Sequence, residues 1–180
     1  MNKLFTCLIL FFASATLQAG EIDYKNKQLK KELLKIWNVE ITALVEMPEM
    51  SALTANEGRF YKVLDKQQII GYVYVGRIVS CRNGGCSKDK TVSVPGNSEY
   101  FDAYFLYNAN KTVESVKIYN YRATHGHDVC SRGWLKQFIG FNNEEPLQVG
   151  KTIDGISGAT ISVYALTDQV NYVTQILRKS

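Results

Sequence analysis

The sequence predicts an α+β fold: a small antiparallel sheet built from hairpins, packed against an N-terminal and a C-terminal helix. Three observations predict it. Residues 25–37 and the stretch from Val163 to Leu177 both carry apolar residues at helical spacing. Between them the pattern changes to paired runs rich in Tyr, Val and Ile, separated by short polar turns. The 180 residues, 46% hydrophobic and 21% charged, have the composition of an ordinary globular chain, long enough for one domain with a real core.

The first residues read as a signal peptide. Lys3 supplies a positive start, Leu4 to Leu17 is apolar apart from small Ser and Thr, and Ala19 before Gly20 is a plausible cleavage point. An apolar run this short does not span a bilayer comfortably. The expectation is therefore a leader at 1–19 and a single domain at 20–180. The mature protein would be exported, periplasmic or extracellular, and would touch a membrane only through partners. No internal repeat, low-complexity stretch or Pro-rich linker divides the remainder.

In chain order, Leu29, Leu33 and Ile36/Trp37 share one face of the first helix, with lysines opposite. Residues 39–55 are weakly patterned, and Pro48 interrupts any long helix there. Arg59–Leu64 and Gln68–Val79 form a hairpin around Asp65-Lys66-Gln67. Residues 80–98, with Asn83-Gly84-Gly85, Pro95 and Gly96, read as a loop. Tyr100–Tyr107 and Thr112–Tyr121 form a second hairpin across Asn108 to Lys111. Residues 122–133 are polar and irregular, and Trp134–Ile139 is a short helical or strand piece. Val163, Leu166, Val170, Val173 and Leu177 define the closing helix, with Arg178 and Lys179 at the end that favours cations.

Charge excludes one class of function. The net charge of +4 is mild and the basic residues are dispersed. The one basic run, Lys25–Lys35, is the solvated face of a helix, so nucleic-acid binding is not indicated. The chain lacks Cys-x-x-Cys-His, Gly-x-x-x-x-Gly-Lys and Gly-x-Gly-x-x-Gly, the signatures of c-type haem, nucleotide phosphate and dinucleotide binding.

Export gives meaning to Cys81, Cys86 and Cys130, since two of three thiols are expected to pair in an oxidising compartment. A short Cys81–Cys86 bridge, a bridge from Cys130 to one of them, and a redox-active pair all remain open. His125-x-His127-x-x-Cys130, with Cys86, has metal-ligand chemistry at no standard spacing. An exported thiol or metal-binding module using these residues without a flavin is accordingly the alternative reading. A purely structural exported binding domain is the third. The near match of Gly155 to Ala159 to a hydrolase nucleophile elbow fails for want of a glycine at Ala159 and of a preceding strand.

The most informative stretch is Asp154-Gly155-Ile156-Ser157-Gly158-Ala159-Thr160-Ile161-Ser162, just before the closing helix. Thr160 and Ser162 are candidate N-caps. Free N–H groups and the helix dipole attract an anion there, above all a phosphate. Gly155, Gly158 and Ala159 remove bulk, so a large ligand can approach the backbone.

The string Asp-x-x-Ser-Gly-Ala-Thr resembles the flavinylation motif of the FMN-binding domain family. That family includes the extracytoplasmic subunits of sodium-pumping quinone reductases and Rnf complexes. In it a flavin transferase links FMN through its phosphate to the Thr hydroxyl. The resemblance implies Thr160 as the attachment residue and Asp154, Ser157, Gly158 and Ala159 as the surrounding recognition sequence. It implies an electron-transfer flavoprotein or redox-enzyme subunit rather than a stand-alone enzyme, with no catalytic residue of its own. A flavin transferase would mature it, and a membrane or exported redox protein would be its partner. The family's Glu-Thr-Pro-Gly-x-Gly loop is replaced here by Ala123 to Gly133, which keeps only Thr124-x-Gly126. In that loop Arg132 is the candidate to hold a flavin carbonyl, and Trp134 or Phe138 to pack on the ring.

Overall fold

The computed structural model describes residues 20–54, 58–82 and 98–180, without the side chains of 81, 82 and 98. The expected leader, Cys86 and most of the expected loop 80–98 lie outside those residues.

The first helix, α1, spans Lys27–Trp37. The side chain of Asn26 accepts the Leu29 N–H at 2.9 Å and so satisfies a first-turn donor. Asn38 closes the helix in the left-handed conformation. Leu29 and Leu33 are fully buried, whereas Lys30, Lys31 and Lys35 face solvent.

The weakly patterned segment that follows holds more structure than its residues announce. A 3-10 turn at Ile41–Ala43 leads into β1, Leu44–Glu46. Pro48 does not break a helix here. It begins one, α2 (Pro48–Ser51), which runs on as a 3-10 turn at Ala52–Thr54. The first turn needs no N–H from that residue, and proline's fixed φ suits it.

The remaining strands are β2 (Gly58–Asp65), β3 (Gln68–Arg82), β4 (Ser98–Asn108) and β5 (Val113–Tyr121). They form one antiparallel five-stranded sheet in chain order. The first hairpin closes on Lys66 and Gln67 alone, both at positive φ, and Asp65 stays in the ladder opposite Gln68. β3 and β4 run further into the expected loop than the local signals suggested, with Cys81 opposite Glu99 and Arg82 opposite Ser98. Pairing with a neighbour extends a strand beyond its own apolar alternation. In the second turn Asn108 Oδ1 accepts the N–H groups of Asn110 and Thr112.

The sheet is covered on both faces. Tyr61, Val63, Val73, Val75, Tyr104 and Leu106 meet α1. Phe60, Tyr74, Phe101, Ala103, Phe105 and Tyr107 meet the closing helix α4, Thr160–Lys179, through Val163, Leu166, Val170, Val173 and Leu177. β4 is thus buried on both sides, which is why Phe101 to Tyr107 reads as an almost unbroken apolar run. Its exception, Asp102, is 1% exposed and takes a two-point ion pair from Arg77 (2.8 and 3.1 Å) and a hydrogen bond from Asn120 (2.7 Å). A charge this buried is tolerated only with such partners.

Trp134–Ile139 takes the helical option: α3 at Arg132–Leu135, then a 3-10 turn at Lys136–Phe138. A further 3-10 turn spans His127–Cys130 in the stretch expected to be irregular. The α+β expectation, with a hairpin-built sheet between N-terminal and C-terminal helices, is borne out.

α4 has a definite direction on the sheet. Ser162 meets Tyr121, Gln169 meets the Tyr74 hydroxyl and Thr174 meets Tyr107. The helix therefore starts where β5 ends and finishes beside the β4–β5 turn. The motif before it lies at the end of the sheet that also carries Tyr100, Phe101 and Tyr121.

Candidate functional site

The motif is fastened at its first residue. Ile153 is buried. The Trp134 indole N–H donates to the Asp154 carbonyl at 2.8 Å, and the Asp154 N–H donates to Gln137 Oε1 at 2.8 Å. The chain then turns at Ser157-Gly158, where Gly158 has φ +78°. That left-handed backbone favours glycine, and a Cβ built there or at Gly155 would meet nothing within 4 Å. The Ala159 N–H donates to the Ile156 carbonyl at 3.1 Å, and Ala159 packs into the core.

The helix start differs from the expectation. Ala159, not Thr160 or Ser162, is the N-cap, and no side chain caps the helix. Ala159 is drawn into that position by burial, and the Ser162 hydroxyl is engaged elsewhere, 2.9 Å from the Tyr121 hydroxyl. Thr160 becomes the first helical residue, exposed to solvent. The first intrahelical bond runs from the Val163 N–H to the Ala159 carbonyl. The N–H groups of Thr160, Ile161 and Ser162 are consequently the helix's orphan donors. Among the described residues none of the side chains of Asp154, Ser157 and Thr160 makes a hydrogen bond. Among the described residues no base is hydrogen-bonded to the Thr160 hydroxyl, the contact that activates a hydroxyl as a nucleophile.

Loop 122–131 lies against this first turn. Tyr121 is stacked on Phe101 (5.6 Å between centroids, 13° between planes). Its hydroxyl donates to the His125 carbonyl and also meets Ser162 Oγ. His127 packs edge-on to the Tyr121 ring. Gly126 has φ +83°. A Cβ there would stand 3.1 Å from both Ser162 Oγ and the Tyr121 hydroxyl, and 3.2 Å from Ala159 Cα. On the outer side of the loop, the backbone N–H and hydroxyl of Thr124 both donate to Glu99. The Thr124 hydroxyl bond, above all, holds the Glu99 carboxyl below its ordinary pKa. Burial raises the Tyr121 phenol and, with Asp128 adding to it, pushes the Cys130 thiol up to about 11.

The remaining candidates divide. Arg132 is exposed at the start of α3, without an ion-pair partner among the described residues. The Trp134–Asp154 bond brings that short helix to the head of the motif. Trp134 and Phe138 face inward rather than outward. They are 7% and 0% exposed and packed on each other at 5.3 Å in the core, where burying large apolar side chains is favourable. Cys130 has no disulfide partner among the described residues, and the side chains of Cys81 and Cys86, the expected partners of each other or of Cys130, lie outside them. Among the described residues no three His, Cys, Asp or Glu side chains gather as metal ligands. None of the described helices is long and apolar enough to cross a membrane.

Tyr121 and Gln137 are the parts of this site that the motif did not announce. Tyr121 reaches Ser162 across 41 positions of sequence, and no local pattern encodes that contact. Gly126 alone left a trace, in the string Thr124-His125-Gly126.

These groups suit a flavin phosphate. An unencumbered Thr hydroxyl stands beside three orphan N–H donors at a helix N-terminus, after a glycine turn with open space around it. Residues 96–175 match the family model of the FMN-binding domain. No curated protein matches the chain.

Proposed function

Because residues 96–175 belong to the FMN-binding domain family, we propose that the chain carries FMN covalently on Thr160 and moves electrons outside the cytoplasm. The observation that carries this reading is the exposed, unpartnered Thr160 hydroxyl at the first position of a 20-residue helix, directly after Ser157-Gly158-Ala159.

Bound FMN supplies the redox chemistry. The chain's own residues do the rest. The Thr160 oxygen is the anchor, joined to the flavin phosphate as a phosphodiester. The orphan N–H groups of the first turn and the helix dipole offset the phosphate charge. The Gly158 turn keeps the approach to Thr160 open, and the Asp154 backbone bonds hold the turn to α3. As the family resemblance implies, a separate flavin transferase carries out the attachment; among the described residues no base touches the hydroxyl. A covalent bond also suits an exported carrier, because it replaces a dissociation constant with a permanent local concentration. Electrons would come from, or pass to, a membrane or exported redox protein.

Protein purified from its native host should be heavier than the polypeptide after leader removal by one FMN less one water, and should fluoresce after denaturation. Thr160→Val should remove both signals while the fold survives. Fluorescence that persists in Thr160→Val, or wild-type protein of plain polypeptide mass, refutes the assignment.

A further inference from the structure

We propose that the outer face of α1 is a docking surface for an anionic lipid bilayer, formed by Lys27, Lys30, Lys31 and Lys35 around Leu34. This surface lies on the opposite side of the sheet from α4 and does not depend on what Thr160 carries. It gives the protein a lipid contact of its own, where the sequence alone indicates contact only through partners.

Leu29 and Leu33, a turn apart, both bury against the sheet, so the helix lies along it. At about 3.6 residues per turn, Lys27, Lys30, Lys31, Leu34 and Lys35 then fall on the opposite side. All five are exposed, Leu34 by 43%. Among the described residues none of the four ammonium groups has an ion-pair partner. Glu32 is the one acid of the helix, and it accepts the Ser115 hydroxyl at 3.2 Å, turning its charge toward β5. Four like charges therefore share one face with little to offset them. Lys27 and Lys31, and Lys31 and Lys35, stand at the spacing where like charges destabilise a helix. An anionic surface removes that repulsion. The chemistry favours lipid over protein as the occupant. Lysine is depleted at protein interfaces, where Arg, Tyr and Trp are enriched, and the five residues of this face include none of those three. A lysine face with an apolar side chain in its midst suits a headgroup layer. The ammonium groups reach lipid phosphates on flexible stems, and Leu34 meets the acyl boundary. Because α4 covers the other side of the sheet, a protein bound through α1 presents Thr160 to the aqueous side.

The test uses protein purified from its native host and co-sedimented with vesicles, either phosphatidylcholine alone or equal parts phosphatidylcholine and phosphatidylglycerol. Wild type should bind the anionic vesicles and not the neutral ones, and high salt should release it. The combined variant Lys27→Gln, Lys30→Gln, Lys31→Gln and Lys35→Gln should bind about a hundredfold more weakly. A control variant makes the same change at Lys66, Lys136, Lys151 and Lys179, which are exposed elsewhere. It removes equal charge and should alter binding by less than about threefold. Leu34→Ala should weaken binding about fivefold. On vesicles, amide exchange should slow across 27–37 and keep its solution rate across 160–179. None of these readouts depends on flavin load. Equal binding to neutral vesicles, an equal loss in the control variant, or protection of α4 instead of α1 overturns the proposal. Capture on immobilised polyglutamate without binding to anionic vesicles overturns it in favour of an acidic protein.

Discussion

The two ends of α4 are pinned to the sheet by the same chemistry in different surroundings. Near the C-terminal end the Tyr107 hydroxyl meets Thr174 inside the core, and Thr174 also donates to the Val170 carbonyl at 2.6 Å. Neither residue has exposed surface. Near the N-terminal end Tyr121 meets Ser162, but Tyr121 is only half-buried and the residues around the pair, Gly158 and Thr160, face solvent. One end closes the core. The other supports an open turn with orphan donors. A buried end and an exposed end are thus separated along a single helix. The lower-stability part of a fold is where a binding element can be kept adjustable.

The largest expected effect tests that separation directly. Leu177→Ala, in the closed end, should lower unfolding free energy by about 2–5 kcal/mol, read from the urea midpoint, with normal flavin load on the folded protein. Thr160→Val should do the reverse, changing stability by no more than about 0.5 kcal/mol. Loss of flavin load in Leu177→Ala protein that is still folded would break the comparison.

A smaller effect sharpens it. Tyr107→Phe leaves Thr174 its bond to Val170, so the cost should be about 0.5–1.5 kcal/mol by urea denaturation. A change well beyond that range would mean that the pair also sets the helix position.

The smallest effect concerns pH. Burial raises the Tyr107 and Tyr121 phenols alike. The unfolded chain releases these protons near pH 10, while the folded chain still holds them. The native state then binds more protons, so stability should fall as pH rises above about 10. Urea midpoints taken on either side of that pH should show the decline in the wild type and less of it in Tyr107→Phe. A flat profile would mean the closed end admits water.

Much of this architecture was legible from local pattern. Leu29 and Leu33, then Val163 to Leu177, mark their helices because burial repeats every three or four residues. The hairpins announce themselves by polar turns between β-rich runs. β1 left no such mark, since three residues have no period and their pairing comes from β2. Pro48 was visible, but whether it ended or began a helix depended on the strand before it. The Asp154–Thr160 string likewise stands out on its own, because it is one contiguous segment. Trp134 and Phe138 were not, since a large apolar side chain suits the core and a ligand platform equally well until packing assigns it.

Periodicity and short contiguous signals, which act between near neighbours in the chain, were enough to specify the two long helices, the hairpins and the fold class, and to single out Thr160 as a candidate. Packing alone settled the surroundings of that residue: Ala159 as the cap, Ser162 turned to Tyr121, Gly126 pressed on the helix, and Trp134 drawn inside. These contacts join positions tens of residues apart, and their partners become neighbours only once burial of both sheet faces has fixed the register of α4 on the strands.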